Sequence, residues 1–331
     1  MATRAAAASE AHVAQAAREA LVRGNAVDAV VAGLLVAAAY GPGVLLGPVQ
    51  LLVAGTGAGR IAADGRVRQP GLGLPRPRGA TSAREIPEAA RVAAPAFPAA
   101  LATILAAHGS ATLRRLAAPA VKVARATSPE RAAVLDAFGR RGAPALGDDA
   151  IASELLAVAG RASGGSLTLE DLTSVRPALA RIEERAMTPP GWMRMPWLEP
   201  GLDASCVHVV AAADGRGLVC VACYESPVEG IAVPRLGLLA PALAVPVLHG
   251  KPRVRPGEPL PAPAPVALRA RRGMADLAVG LAAASGAETA LWRLLPLLDE
   301  APLVGEAMSG VTGHAVAVVR TRETAMVAAS A

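Results

Sequence analysis

Four side chains in one short part of the chain have the chemistry of zinc ligands. Cys206 and His208 lie two positions apart, and Cys220 and Cys223 form a C-x-x-C pair further along. Thiolate and imidazole are preferred ligands of Zn²⁺. In a regular strand, however, residues three positions apart point to opposite faces, so Cys220 and Cys223 need a β-bulge to reach one ion. We predict three buried cysteines and no metal, with a bulged zinc site as the alternative.

The remaining histidines carry no recognisable motif. They are isolated in the sequence and we assign them no role: His12, His108, His249 and His314. We also predict that the protein uses no cofactor.

Composition and charge exclude several function classes. The net charge of +6 comes mostly from scattered arginines without the interleaved aromatic residues that stack on bases, so we predict no nucleic-acid partner. Hydrophobic residues make up 53% of the chain but aromatic residues only 2%, so the core must be packed from Ala, Val and Leu. No uncharged apolar run reaches the roughly 20 residues of a membrane helix, and the N-terminus lacks a secretory signal, which predicts a cytoplasmic protein.

Hydrophobic periodicity and capping residues predict the elements that must position any site. Helices are expected near 11–22, 26–39, 98–107, 110–126, 129–140, 149–162, 168–175 and 286–299. Strands are expected near 48–54, 58–63, 179–185, 205–212, 217–224, 264–270, 276–282 and 314–320, with a further short strand before the first helix.

Four stretches, in order, resemble motifs of the gamma-glutamyltranspeptidase family. RGNAVDAVVA at 23–32 resembles the start of the family's first long helix, GGNAVDAAVA. IAADGRVRQP at 61–70 resembles the segment that ends in F-R-E-x-A-P, and GGSLTLEDL at 164–172 resembles GG-x-[IL]-T-x-E-D-L. PGEPLPAPAPVAL at 256–268 resembles PGKRPLSSMAPTIV. The matching order indicates a related protein.

The resemblance implies an N-terminal nucleophile hydrolase fold, an α+β four-layer αββα sandwich of two mostly antiparallel sheets. The family cuts its own precursor before a threonine, whose hydroxyl then attacks the γ-glutamyl amide while its α-amino group accepts the proton. Arg66 falls on the family's arginine that holds the α-carboxylate of the substrate. A γ-glutamyl or amino-acid-like ligand is therefore expected at Arg66.

The catalytic positions depart from the family pattern. Aligned on Asp203, the nucleophile position is Ala204, which has no hydroxyl; aligned on Asp214, it is Ser205, with Cys206 as a weaker candidate. The paired serines of the family become Pro261 and Ala262, and the Gly-Gly pair of the oxyanion hole has no counterpart. Losing one oxyanion donor costs roughly a hundredfold to a thousandfold in rate.

We expect one domain over residues 1–331, with a large-subunit-like part (1–186), a shortened linker (187–204) and a small-subunit-like part (205–331). The leading prediction is a member that has lost self-cleavage and catalysis and serves as a structural or regulatory subunit of an oligomer or complex. The alternative is an active amide hydrolase or γ-glutamyl acyl transferase that uses Ser205 or Cys206. The apolar segment 237–248, with part of 192–197, is expected either to bind the partner or to fill the chain's own cleft.

Overall fold

A six-stranded antiparallel sheet forms one half of the protein's core. The computed structural model describes residues 4–75, 79–183, 190–197, 207–271, 274–282, 286–300, 314–320 and 325–330. The strands of this sheet lie in the order β1 (Ala5–Ala8), β6 (Val207–Ala213), β7 (Leu218–Glu225), β2 (Val49–Gly55), β3 (Gly59–Gly65) and β4 (Ala178–Arg181). The first strand of the chain thus pairs with a strand about 200 residues later, Ala5 with Ala213.

A second antiparallel sheet packs against the first. Its order is β13 (Ala325–Ser330), β12 (His314–Arg320), β11 (Met274–Ala282), β10 (Val266–Arg271) and β5 (Trp192–Met193). β8 (Gly230–Val233) and β9 (Leu238–Pro241) form a separate two-stranded sheet. Val209 and Ala211 of β6 face the second sheet, where they pack with Val266 and Leu268 of β10.

Helices cover both outer faces. The first group comprises α1 (Ala11–Arg23), α2 (Ala26–Tyr40), α3 (Phe97–His108), α4 (Leu113–Thr127), α5 (Pro129–Arg141), α6 (Asp149–Ala159) and α7 (Leu169–Thr173). Residues of this group share one apolar cluster with Val210 and Ala212, the residues of β6 that point away from the second sheet. α8 (Ala287–Glu300) packs on the other sheet through Leu291 and Leu295. The result is the predicted four-layer αββα sandwich.

Small side chains allow the layers to approach closely. Every residue of α2 from Ala26 to Ala39 is buried, on all sides of the helix. A Cβ atom added at Gly33 of this helix would lie 3.1 Å from Val13 Cγ1 and 3.2 Å from Val210 Cγ2. A core with 2% aromatic residues therefore reaches tight packing by bringing backbones together.

All eight predicted helices are present, as is the expected short strand before the first helix. The strands β5, β8, β9 and β13 were not predicted. The segment 237–248 carries β9 and packs on its own chain, because Leu238, Ala240 and Ala244 are buried there. Within the described residues, no helix is both long and apolar enough to cross a bilayer.

Candidate active site

The predicted nucleophile position immediately precedes an inner strand. Ala204, Ser205 and Cys206 lie outside the described residues, and β6 begins at Val207. β6 lies between β1 and β7, and Val207 is paired with Glu225, the last residue of β7. The groups around this end of the two sheets therefore define the candidate site.

Arg66 does not offer a free charge to a ligand. It follows β3 directly, and its Nε and Nη2 atoms donate to the two carboxylate oxygens of Asp64 over 3.0 and 3.1 Å. The backbone N–H of Arg66 also donates to Asp64, over 3.0 Å. Both side chains are buried. A bidentate, charge-assisted pair of this kind is among the strongest polar contacts in proteins.

A second arginine shares the same carboxylate. Arg68 Nη2 lies 3.3 Å from Asp64 Oδ2, and the side chain is buried. Burial lowers the pKa of Arg68, with the neighbouring charge of Arg66 acting in the same direction and Asp64 opposing both. Asp64 thus holds two buried cations in place.

A tryptophan from the linker covers this cluster. The ring of Trp197 lies 5.4 Å from Arg66 Cζ, within cation–π distance, and its Nε1 donates to Gln50 Oε1 over 2.5 Å. Gln50 in turn donates to the carbonyl oxygens of Ala262 and Pro263 over 3.2 and 3.0 Å. Trp197 thus lies against Arg66, and Gln50 connects Trp197 to the segment that contains Ala262 and Pro263.

Two carboxyl groups lie close enough to the Cys223 thiol to act on it electrostatically. Burial raises the pKa of Glu225 to about 7. Burial also raises the pKa of Glu288, whose Oε1 accepts from the Ala264 N–H over 2.5 Å, while its buried Oε2 finds no hydrogen-bond partner among the described residues. Desolvation, followed by the charges of Glu288 and Glu225, raises the pKa of Cys223, so its thiol stays protonated and unreactive.

Two of the motifs that carry the resemblance have a structural role, because their acidic side chains connect neighbouring segments by hydrogen bonds. The carboxylate of Asp28 accepts from the backbone N–H groups of Asn25, Ser110 and Ala111, and from the Ser110 hydroxyl. Asn25 caps the start of α2 in return, its side chain accepting from the Asp28 N–H. This motif places no catalytic group in the site.

The second motif contributes Asp171, which forms a capping box with Thr168 at the start of α7. Its carboxylate accepts from Gly71 N and Leu72 N over 2.8 and 3.1 Å. It thereby ties the start of α7 to the loop that follows Arg66.

Asp214, the anchor of the second alignment, has a structural role as well. Its Oδ1 accepts from the backbone N–H groups of Arg216, Gly217 and Leu218 over 2.8 to 3.0 Å. It holds the turn between β6 and β7.

Comparison with known proteins finds similarity in structure but none in sequence. No protein-family model and no curated protein sequence matches the chain. The structure of LmbA2991HD superposes with a TM-score of 0.72 at 15% identity, covering 99% of this chain and 96% of that one. Cephalosporin acylase from Bacillus halodurans superposes with a TM-score of 0.71 at 14% identity, covering 99% and 93%. The chain has the N-terminal nucleophile hydrolase fold.

A gamma-glutamyltranspeptidase from Pseudomonas nitroreducens gives a shorter match, at 19% identity over 58% of this chain and 68% of that one, with a TM-score of 0.44. The two superpositions that cover 99% of this chain confirm the predicted fold class. Identities this low carry neither substrate nor activity.

Within this fold, the geometric objection to a zinc site is correct. Cys220 packs in the apolar cluster on the helical side of the first sheet, whereas Cys223 packs between the sheets. The described residues contain no group of three or more side chains that could hold a metal ion. Cys206 lies outside the described residues.

His12, to which the sequence analysis assigns no role, lies beside a glutamate in the folded chain. Its Nε2 lies 3.6 Å from Glu10 Oε1, and His208 Nδ1 lies 3.6 Å from Glu10 Oε2. Tyr224 OH also donates to Glu10 Oε2, and its ring stacks on His208. The spacing of Glu10 and His12 was the available sequence signal, but the contribution of β6 and β7 arises only in the folded sheet.

Four further site residues escaped the sequence analysis. Asp64 and Gln50 occupy paired positions on β3 and β2, and Glu225 and Glu288 reach the same end of the sandwich from β7 and α8. Only Asp64 had a local signal, two residues before Arg66. The others are brought there by tertiary structure.

Proposed function

We propose that this protein is a catalytically degenerate member of the N-terminal nucleophile hydrolase fold that acts as a structural or regulatory subunit. The observation that carries the proposal is the state of Arg66. Asp64 binds one edge of its guanidinium through Nε and Nη2, and the guanidinium lies 5.4 Å from the ring of Trp197. One bidentate edge of the residue expected to receive a substrate carboxylate is therefore already occupied by a carboxylate of the chain itself.

A ligand carboxylate would have to displace a carboxylate of the protein itself. Asp64 is fixed on β3 two residues before Arg66, so it competes as an intramolecular group at high effective concentration. Displacement would also leave the Asp64 charge buried without its main partner. Trp197 would have to move as well, breaking its hydrogen bond to Gln50. Each step opposes binding of a γ-glutamyl or amino-acid-like ligand at this position.

The surrounding residues support the same proposal. Pro261 and Ala262 offer no hydroxyl groups, and the Ala262 carbonyl oxygen is held by Gln50. With Ala204 at one of the two aligned nucleophile positions, the chain lacks both a threonine to attack and the serines to hold a substrate.

Intact-mass spectrometry after prolonged incubation tests the loss of self-cleavage. We expect a single species near 33.2 kDa. In parallel, hydrolysis of a γ-glutamyl anilide should stay at background. A pair of fragments, the second beginning at Ser205 or Cys206, would refute the proposal.

The alternative function is amide hydrolysis by Ser205 or Cys206 after self-cleavage. Two observations favour it: both residues directly precede the inner strand β6, and Glu225, paired with the first residue of that strand, has a pKa near 7. A carboxyl group with that pKa is suited to proton transfer at neutral pH. The nucleophile would attack the amide carbonyl and its proton would pass to the departing amine, and water would then hydrolyse the acyl-enzyme to release the acid and restore the nucleophile.

Separate Ser205→Ala and Cys206→Ala variants distinguish the two functions. If the alternative holds, one of them abolishes both fragment formation and turnover, and the other leaves them intact. Substrates should include a cephalosporin side-chain amide, because a cephalosporin acylase shares the fold. If the proposal holds, wild type and both variants give the same single mass.

The subunit role and a cytoplasmic location belong to this proposal. The apolar segment 237–248 packs on its own chain through Leu238, Ala240 and Ala244, while Val245 is 37% exposed and offers apolar surface to a partner. Co-purification from the native host, followed by mass spectrometry, would identify a partner. A chain that is recovered alone would remove the support for a subunit role.

A further inference from the structure

We propose that a cavity separate from the Arg66 cluster binds a small organic anion with an aliphatic portion. The cavity has a volume of about 450 Å³ and lies where three loops meet, within residues 69–75, 161–166 and 247–256. Small-molecule sites typically measure about 300–1,000 Å³. Neither Arg66 nor Glu225 lines this cavity, so a ligand there is independent of the proposed loss of catalysis.

The charge on the cavity wall is positive. Arg161, Arg253 and Arg255 line it, and none of the described lining residues is an aspartate or a glutamate. Among the described residues, no ion-pair partner is found for the guanidinium groups of Arg161 and Arg255. The Ser166 hydroxyl adds a neutral donor to the same wall. Guanidinium groups match the planar, paired oxygens of carboxylates and phosphates, so the cavity is suited to an oxyanion.

The rest of the wall is apolar. Leu74, Val247 and Val254 contribute aliphatic side chains, and three prolines complete the lining. A ligand that carries only an anionic group would leave this surface in contact with water. The wall therefore favours an oxyanion attached to a short aliphatic chain, because burying apolar surface adds to the charge interaction.

The cavity is held open by contacts far from its arginines. The side chain of Gln69 donates to Val245 O over 2.9 Å and accepts from Val245 N over 3.0 Å. Asp171 fixes Gly71 and Leu72 through their backbone N–H groups. Because these loops are tied before any ligand arrives, binding does not have to order them, which lowers its entropic cost.

Isothermal titration calorimetry with three probes of similar length tests the proposal. Hexanoate and hexyl phosphate supply the two oxyanions, and hexanol supplies the same chain without charge. We expect one or both anions to bind with one site per chain, more weakly as NaCl is raised, and hexanol to bind far more weakly. Binding of hexanoate alone would identify a carboxylate site, and tighter binding of hexyl phosphate a phosphate site.

Variants locate the binding to this cavity. Arg161→Ala combined with Arg255→Ala should weaken anion binding by about tenfold or more, as expected for loss of charge-assisted hydrogen bonds. Arg125→Ala, on the exposed surface of α4, is the matched control and should leave affinity unchanged. All three arginines are exposed, so the variants should fold. Failure of both anions to bind, equal binding of hexanol, or unchanged affinity in the double variant would overturn the proposal.

Discussion

Replacing Asp64 with asparagine should destabilise the fold by about 3–5 kcal/mol, because it leaves two buried guanidinium groups without a counter-charge. Asp64 is only 2% exposed, and Arg66 and Arg68 are 6% and 8% exposed. The carboxylate receives side-chain contacts from Arg66 at 3.0 and 3.1 Å and from Arg68 at 3.3 Å. Asparagine keeps the shape and one acceptor oxygen but removes the charge, so the change reports electrostatics rather than packing.

Arg66→Ala should cost less, about 2–3 kcal/mol, since Asp64 would keep its contact with Arg68 and the main loss is two charge-assisted hydrogen bonds. The control is Arg140→Ala. Arg140 forms an exposed pair with Asp136 at 2.9 Å, with side chains 53% and 43% exposed. Such surface pairs contribute at most about 0.5 kcal/mol.

Urea titration followed by tryptophan fluorescence measures all three variants, with Trp197 reporting on the cluster itself. The unfolding free energies should rank wild type and Arg140→Ala together, then Arg66→Ala, then Asp64→Asn. An unfolding free energy for Asp64→Asn within about 0.5 kcal/mol of that of Arg140→Ala would refute the structural role of this carboxylate. A larger loss for Arg66→Ala than for Asp64→Asn would show that Asp64 is not what neutralises the pair.

Three further predictions concern the candidate site and the assembly. The pKa of Glu225 is raised by burial to about 7 from 4.5, so the folded chain retains a proton that the unfolded chain loses, and stability should fall as pH rises between those values. Glu225→Gln should flatten this part of a pH series of urea titrations, and an unchanged slope would contradict the assignment. Ala204→Thr should not produce hydrolysis of a γ-glutamyl anilide, because Pro261 and Ala262 still lack hydroxyl groups; turnover would show that the supporting residues are sufficient. Light scattering should give a mass above the 33.2 kDa of one chain, and a concentrated, soluble monomer would argue against an obligate oligomer.

The sequence predicted the helices well because their signals are local. Asn25 and Thr168 each begin a helix with a capping box, and Gly24 and Gly41 flank the helix that runs between them. The unpredicted strands have weaker local signals. β5 is only two residues long, and β8 and β9 pair with each other outside the two main sheets. Short edge strands depend on their neighbours more than on their own residues.

The sequence indicated where Arg66 lies along the chain but not which groups contact its guanidinium. The motif match placed Arg66 correctly at the end of β3, yet it gave no information on what surrounds the guanidinium. Trp197 comes from the linker, and Gln50 comes from β2. The raised pKa of Glu225 likewise results from burial in the assembled sandwich. These properties belong to tertiary packing and leave no pattern in the sequence.

Under the proposed function, the Arg66 cluster links a loss of ligand binding to a gain in stability. A buried arginine reserved for substrate stays unpaired until the substrate arrives, which destabilises the free protein, whereas Asp64 neutralises Arg66 permanently. Asp64→Asn should therefore lower stability and at the same time free the guanidinium for an external carboxylate. If so, added glutamate should raise the urea midpoint of Asp64→Asn but not that of wild type, because a ligand stabilises only the state that binds it. Equal responses of the two proteins would mean that Trp197, rather than Asp64, keeps carboxylates away from Arg66.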